Sequence, residues 1–297
     1  MNLNDSSTCK LPSYPSAVNK GPVVFDYLED KNEIAACGTI EFNNQQNSDR
    51  NCYSLGSIWR PMGSMPVWKN EFCASPRALH THFIRDFGWF LFGSEQKCYS
   101  AGNFEAAIYT ANNSWTNKII SNPTGFKSGF PIHTCSVPLN KTHIFITGHL
   151  NMNVKPLVLN LIDSSWTSTA PMLENRRLHG CIMTPEGEVM IAGGLVGIRT
   201  QSYNVDIYNP TTDVWRREGD LPFTNGDMRM LKMFVWDEKI IIFGDQTDRI
   251  WMRMGPGNWK LMKTSLGATL KATEDHAVIV PEGIFECPST SASTTST

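Results

Sequence analysis

The sequence predicts an all-β fold, a β-propeller of six repeated units arranged in a ring. Two patterns lead to this prediction: short apolar runs that end on glycine recur along the chain, and tryptophans follow them at a regular spacing. Runs of four or five residues rich in Ile, Val and Phe, bounded by turns, are typical of strands buried on both faces. With 41% hydrophobic and 18% charged residues, the chain has enough apolar material for such a core.

The most complete unit lies between His179 and Trp215. It contains the apolar run 180–183, a turn, the run 189–194, a polar loop, the run 205–210 and, after a further turn, the segment 211–215 that ends on Trp215. The order of runs and turns predicts four short strands joined by three connections.

Glycine ends the second-strand run in each of the five units where that run is visible, and the most complete unit has two. These glycines are Gly38, Gly93, Gly148, Gly193, Gly194 and Gly244. The fourth-strand tryptophans recur about every 50 residues, the period expected for this kind of repeat. They are Trp59, Trp115, Trp166, Trp215 and Trp259. We expect glycine to let the backbone turn where a side chain would clash, and tryptophan to fill the wedge between units.

We predict one propeller domain over residues 9–287, with a disordered lead at 1–8 and a disordered Ser/Thr-rich tail at 288–297. The sixth unit runs out of sequence after about two strands, so we expect the segment 9–15 to complete it. A ring closed in this way leaves no open sheet edges. The predicted blades lie near 23–66, 77–120, 132–172, 178–222, 229–265, and 275–287 combined with 9–15.

The runs 189–194 and 205–215 resemble kelch repeats, and weaker copies cover roughly residues 23–287. The other units depart from the double glycine, with Cys37-Gly38, Gly93-Ser94, Gly148-His149 and Gly244-Asp245. The resemblance implies a β-propeller, which in this family is most often a platform that binds other proteins.

Charge and hydropathy exclude several classes of partner. A net charge of −2 and a pI of about 6.4 provide no basic field for nucleic acid. No apolar run approaches the roughly 20 residues of a membrane-crossing helix. The first eight residues lack the charged and apolar regions of a signal peptide. The location of the protein stays open between the cytoplasm and the extracellular space. Three Asn-x-Ser/Thr sequons, at Asn4, Asn112 and Asn140, are about as many as chance predicts.

Four of the eight cysteines form candidate disulfide pairs. Cys37 and Cys52 flank the connection between the second and third strands of the first blade, where adjacent strands bring them within bridging range. They form either a disulfide or two thiols, depending on the compartment. Cys9 and Cys287 lie at the two ends that ring closure would bring together, so a bridge there could lock the ring.

Other cysteines and histidines recur at equivalent positions near first strands. Cys135 and Cys181 are expected to be inert buried thiols. The histidines are His80, His133, His179 and His276. They could converge on a metal near a central channel, but a repeat-equivalent position favours a structural role. Because the usual ligand spacings are absent, we predict no metal site.

The sequence contains no nucleophile with a positioned base, no paired carboxylates and no phosphate loop in the required context. We therefore predict no catalytic activity and no cofactor. An oxidase of the galactose oxidase type would need a copper-binding set of Tyr, His and Cys that cannot be placed here. Two alternatives stay open: a carbohydrate-acting propeller enzyme of the sugar mutarotase kind, and a secreted structural propeller closed by disulfides.

The predicted function is a protein–protein interaction module or scaffold whose partner the sequence does not identify. Candidate binding residues are arginines that precede first strands, together with Trp68 in the long connection 61–76. The arginines are Arg77, Arg176, Arg177 and Arg229. Guanidinium groups on one face could clamp an acidic peptide segment. The alternative is that they pair with nearby carboxylates such as Glu174 or Asp227.

Overall fold

Among the residues that it describes, the computed structural model contains 23 β-strands and no helix. The described residues are 12, 15, 24–39, 49–65, 79–93, 103–121, 123, 134–148, 155–197, 200–223, 229, 231–243 and 249–263. None of these residues belongs to a helix long and apolar enough to cross a membrane.

Twenty of the strands form five four-stranded antiparallel sheets, in each of which the strands follow one another in chain order. The first sheet contains β1 (Val24–Leu28), β2 (Glu33–Thr39), β3 (Asp49–Leu55) and β4 (Trp59–Ser64). The second contains β5 (Leu79–Ile84), β6 (Gly88–Gly93), β7 (Asn103–Tyr109) and β8 (Trp115–Ser121). The third contains β9 (Cys135–Pro138), β10 (His143–Thr147), β11 (Leu157–Asn160) and β12 (Trp166–Ser168).

The fourth sheet contains β14 (Gly180–Met183), β15 (Val189–Ala192), β18 (Asn204–Asn209) and β19 (Val214–Asp220). The fifth contains β20 (Lys232–Trp236), β21 (Lys239–Phe243), β22 (Ile250–Gly255) and β23 (Asn258–Lys263). A small additional sheet accompanies the fourth and consists of β13 (Arg176–Arg177), β16 (Leu195–Val196) and β17 (Thr200–Gln201).

The five large sheets stack in sequence order, because the first strand of each sheet contacts the first strand of the next. Second strands are buried on both faces, so successive side chains face opposite neighbours. On β6, Trp89 and Leu91 pack against the first sheet, while Phe90 and Phe92 pack against the third. The same alternation on β10, β15 and β21 explains why these strands read as unbroken apolar runs.

The fourth-strand tryptophans also join neighbouring sheets. In the second to fifth sheets, each indole N–H donates to a backbone carbonyl near the outer edge of the preceding sheet. The bonds are Trp115 to Met62 (3.1 Å), Trp166 to Ser121 (2.7 Å), Trp215 to Ala170 (3.1 Å) and Trp259 to Asp220 (3.2 Å). A tyrosine packs at a tilted angle against the tryptophan in two sheets, with 5.0 Å between the ring centroids of Tyr109 and Trp115 and of Tyr208 and Trp215.

The predicted sixth blade lies almost entirely outside the described residues. Of its two segments, 275–287 and 9–15, only Pro12 and Pro15 are described. Gly244 also lies outside them. The described structure is an all-β stack of repeated sheets, consistent with a propeller-like fold.

Candidate binding face

The two ends of the sheets differ in the length of the segments that join the strands. At one end, short turns join the first strand of a sheet to the second and the third strand to the fourth. The turns 29–32, 85–87 and 184–188 are examples of the first kind. We term this the short-turn face. The strand ends joined by the longer connections all lie at the opposite end, because neighbouring strands are antiparallel. We term that end the long-connection face. Its connections include 40–48, 65–78, 94–102, 122–134, 148–156 and 244–249.

The predicted binding arginines that the structure describes, Arg176, Arg177 and Arg229, precede first strands and therefore belong to the long-connection face, but their environments differ. Arg229 is exposed and Arg177 is partly buried, whereas Arg176 is only 2% exposed. Arg77 and Trp68 lie outside the described residues.

Arg176 is a structural residue, and predicting it as a binding residue was wrong. Its Nη1 donates to the carbonyl oxygen of Asn204 at 2.7 Å, and its Nη2 pairs with the carboxylate of Asp206, which is 0% exposed. Burial lowers the pKa of Arg176, and the negative charges of Asp206 and Glu174 oppose that shift. A guanidinium held in this way cannot reach a partner.

Two further side chains complete this buried ion network. Arg217 donates from Nε to the second oxygen of Asp206, so one carboxylate joins a buried and a partly exposed guanidinium. Glu174 lies 3.7 Å from Arg176 and accepts hydrogen bonds from Ser202 at 2.7 Å and Asn204 at 3.0 Å. Burial raises the pKa of Glu174, but these hydrogen bonds, together with the positive charges of Arg176 and Arg217, hold the pKa below its usual value. The network fixes the connections of the fourth sheet at the long-connection face.

The small sheet next to this network explains the glycine pair of the most complete unit. Strand β13 pairs with β16, which follows Gly194 directly. Gly194 has φ +88°, and a Cβ there would lie 2.6 Å from the carbonyl oxygen of Arg177. Glycine is needed at this position for close approach of two backbones as well as for the turn.

Between the first and second sheets, a polar contact joins the two first strands. Thr81 donates to the carboxylate of Asp26 at 2.6 Å and accepts from the indole of Trp89 at 3.1 Å. Burial raises the pKa of Asp26, while hydrogen bonds from Thr81 and the Tyr27 backbone oppose the shift.

Between the second and third sheets, two imidazoles converge on one hydroxyl. The Oγ of Ser136 lies 2.7 Å from Nε2 of His82 and 2.8 Å from Nδ1 of His80. The other ring nitrogen of His80 lies 2.9 Å from the Thr134 hydroxyl. Burial lowers the pKa of His80 to about 4 and that of His82 to about 3, with the charge of His80 adding to the second shift. Both imidazoles are therefore neutral near pH 7.

This cluster has a hydroxyl next to two bases, but its chemistry favours a structural role. A serine nucleophile needs a base that is itself oriented, usually by a carboxylate, and a group that stabilises the oxyanion. Here both nitrogens of His80 are occupied by neutral hydroxyls. His82 was missed in the sequence because its partner is 54 residues away.

A third imidazole, His179, is buried near the start of β14 and is 3% exposed. It packs on Gly148, where a Cβ would lie 2.6 Å from its Cε1. Burial lowers the pKa of His179 to about 3, and the positive charge of Arg176 contributes. In the described part of the chain, no three His, Cys, Asp or Glu residues are grouped so as to hold a metal.

Two disulfides lie in the described sheets. Cys37 and Cys52 are directly opposite on β2 and β3, with their Cα atoms 4.1 Å apart. The second disulfide corrects the expectation of inert thiols: Cys135 on β9 is bonded to Cys181 on β14, with a Cα separation of 5.9 Å. It joins the first strands of two different sheets. Cys9 and Cys287 lie outside the described residues.

Comparison with known proteins gives a match to one motif model and a likeness to solved structures. A model of the kelch motif matches residues 176–222. No curated protein matches the chain. Among solved structures, a novel fungal alcohol oxidase of the AA5 family, determined in complex with copper, is 17% identical with a TM-score of 0.47. The match covers 64% of this chain and 41% of the oxidase chain, and the oxidase activity and the copper are features of that protein. Residues 176–222 therefore form a kelch motif, and the repeated four-stranded sheets around it are consistent with a kelch-repeat protein.

Proposed function

We propose that this chain is a non-catalytic protein-interaction module that binds its partner through the long-connection face. The observation that supports this most is the difference between the two ends: rigid sheets carry long connections at one end and tight turns at the other. Long connections on a rigid scaffold are where proteins of this architecture place binding residues. The kelch motif at 176–222 supports the same function.

The chemistry of this face fits an acidic protein segment. Arg229 is exposed there, Arg177 is partly buried, and Arg77 and Trp68 belong by sequence to the connection 65–78. Arginine binds carboxylates through two parallel hydrogen bonds, and tryptophan contributes large buried area at interfaces. We propose that these four residues contact the partner.

We also propose that the sheets close into a six-bladed ring, with residues 275–287 and 9–15 supplying the sixth blade. At both ends of the described stack, buried apolar side chains face away from the neighbouring described sheet, so a further part of the protein must pack on them. On β21, Ile241 and Phe243 face away from the fourth sheet and are buried, and on β2 Ile34 and Ala36 face away from the second sheet and are buried. A sixth blade between these two apolar faces would cover both.

A binding experiment with matched variants tests the proposed face. The purified full chain is used to capture proteins from cell lysate and from secreted fractions, and the affinity for each retained protein is then measured. Substitution of the four face residues by alanine should weaken binding at least tenfold. The control, Arg85→Ala with Arg216→Ala, removes two exposed guanidinium groups at the short-turn face and should leave the affinity unchanged.

Two results would overturn the proposal. The first is a partner whose binding is lost in the control variant and kept in the four-residue variant. The second is turnover of a sugar in a panel followed by nuclear magnetic resonance, which would favour an enzyme of the mutarotase kind.

The two disulfides favour a second candidate function, a secreted structural propeller. Disulfides persist mainly in oxidising compartments, and the Cys135–Cys181 bond holds two sheets together. A purely structural protein would retain no specific partner in the capture experiment, whereas an interaction module of the extracellular space would.

A further inference from the structure

We infer that Asn112 and Asn140 are N-glycosylated, which places oligosaccharides on the short-turn face. Neither site stands out in the sequence alone, where sequons occur about as often as chance predicts. Three structural observations change this: the state of the cysteines, the exposure of both asparagines, and their location at the same end of the sheets.

The cysteines indicate the compartment. All four cysteines in the described part of the chain, Cys37, Cys52, Cys135 and Cys181, are in disulfides. Proteins in a reducing cytosol rarely keep such bonds, whereas chains that pass through the secretory pathway form them. That pathway is also where oligosaccharides are transferred to asparagine, so the disulfides place these sequons where the modification occurs.

Both asparagines are exposed and both lie in turns. Asn112 is in the turn between β7 and β8, two residues before Ser114, and Asn140 is in the turn between β9 and β10, two residues before Thr142. The Asn-x-Ser/Thr pattern is therefore accessible in the folded protein at each site. The remaining sequon, at Asn4, lies outside the described residues.

The hydrogen bonds at Asn140 leave room for a substituent on the amide nitrogen. Its Oδ1 accepts from the backbone nitrogen of Thr142 at 2.9 Å, from the Thr142 hydroxyl at 3.1 Å and from the backbone nitrogen of His143 at 3.0 Å. This Asx-turn is held through the oxygen alone. A sugar on Nδ2 breaks none of these bonds, so the folded turn tolerates the modification.

The reaction consumes a lipid-linked oligosaccharide. The amide nitrogen Nδ2 forms a bond to C1 of the first sugar, the bond between C1 and the pyrophosphate oxygen breaks, and the lipid pyrophosphate leaves. The nitrogen loses one proton, and no electrons are transferred. The product is a bulky hydrophilic group on each turn.

Both turns belong to the short-turn face, because one joins a third to a fourth strand and the other a first to a second strand. Oligosaccharides there would block that end of the sheets over part of the second and third units. This consequence rests on the proposed function: the partner is then confined to the long-connection face.

The test produces the full chain with an added export signal in eukaryotic cells and maps the modification by peptide mass spectrometry. Material from inside the secretory pathway is analysed together with secreted material, because transfer precedes folding. We expect sugar on the peptides that contain Asn112 and Asn140. Asn112→Gln and Asn140→Gln should each remove one oligosaccharide, while Ser114→Thr and Thr142→Ser preserve the sequons and should keep both. Unmodified Asn112 and Asn140 in the wild-type chain would overturn the inference.

A second measurement separates this inference from the proposed function. Enzymatic removal of the oligosaccharides from the folded protein should leave the affinity for a captured partner unchanged within twofold. If removal abolishes binding, the assignment of the binding face fails while the modification stands. If binding depends on the four face residues but neither asparagine is modified, the modification fails while the proposed function stands.

Discussion

The indole Nε1 of Trp59 donates a hydrogen bond of 3.0 Å to the carbonyl oxygen of Pro12, 47 residues earlier in the chain. In the second to fifth sheets, the equivalent tryptophan bonds to the preceding sheet. For the first sheet, the carbonyl of Pro12 is therefore the acceptor that the outer edge of the preceding sheet supplies for the other tryptophans. This relationship supports the proposal that the segment 9–15 belongs to the blade that precedes the first one around the ring.

The first prediction concerns this bond. Trp59→Phe keeps an aromatic ring but removes the donor, which should lower the free energy of unfolding by about 1 kcal/mol. It should also release the segment around Pro12, so that trypsin cleaves after Lys10 and Lys20 faster than in the wild type. Trp166→Phe is the matched control, since it removes the same kind of bond within the stack. Equal acceleration of these two cleavages in both variants would contradict the proposed role of the segment.

The second prediction concerns the buried pair of Arg176 and Asp206. Asp206→Ala leaves the guanidinium buried without its carboxylate, and such a loss costs about 3 to 5 kcal/mol. The double variant Arg176→Met with Asp206→Leu removes both charges and should be less destabilised than Asp206→Ala. Urea unfolding gives the free energies. Arg216→Ala, which breaks an exposed pair with Glu188, is the control and should cost less than about 1 kcal/mol. A double variant no more stable than Asp206→Ala would show that charge burial does not cause the loss.

The repeated sheets could be predicted from the sequence because each second strand is covered on both faces. That geometry requires apolar side chains at consecutive positions, and the structure shows Trp89 and Phe90 packing on opposite neighbours. The regular spacing of glycines and tryptophans predicted the same repeated sheets. Contacts within a strand or a tight turn are local, so sequence patterns record them.

Contacts between sheets are harder to predict from the sequence. Arg176 and Arg177 are adjacent in the chain, yet the pairing of β13 with β16 buries the first almost completely. Cys135 and Cys181 were expected to be separate thiols because their spacing does not show how two sheets align. The sequence shows which residue types are present for such contacts, but it does not show which residues of two different sheets contact each other.

The third prediction compares the two disulfides. In the chain-entropy model, a crosslink closing the 46-residue separation of Cys135 and Cys181 stabilises by about 4 kcal/mol, and one closing the 15-residue separation of Cys37 and Cys52 by about 3 kcal/mol. Replacing each pair with alanine, and measuring unfolding in guanidinium, should therefore give the larger loss for Cys135 and Cys181. The opposite order would show that local packing on β2 and β3 outweighs the constraint between sheets.

The last prediction concerns pH and three imidazoles, those of the partly buried His80 and His82 and of the buried His179. Burial lowers the pKa of His80 to about 4, and those of His82 and His179 to about 3, from an ordinary value of 6.5. Below pH 6.5 the unfolded chain binds protons that the folded chain does not, so stability is highest above that pH and falls towards pH 4. At pH 5 each imidazole should cost about 1 to 2 kcal/mol relative to pH 7.5.

Urea unfolding at pH 7.5, 6 and 5 measures this dependence. His82→Gln keeps a polar group beside Ser136 but removes one titrating site, so the loss between pH 7.5 and 5 should shrink by about a third. Ile146→Val, in the core between the second and third sheets, is the control. It should lower stability by about 1 kcal/mol at every pH, because it removes packing and no titrating group. A free energy of unfolding that stays constant from pH 7.5 to 5 in the wild type would show that these imidazoles take up protons in the folded state, against the burial that the sheets impose on them.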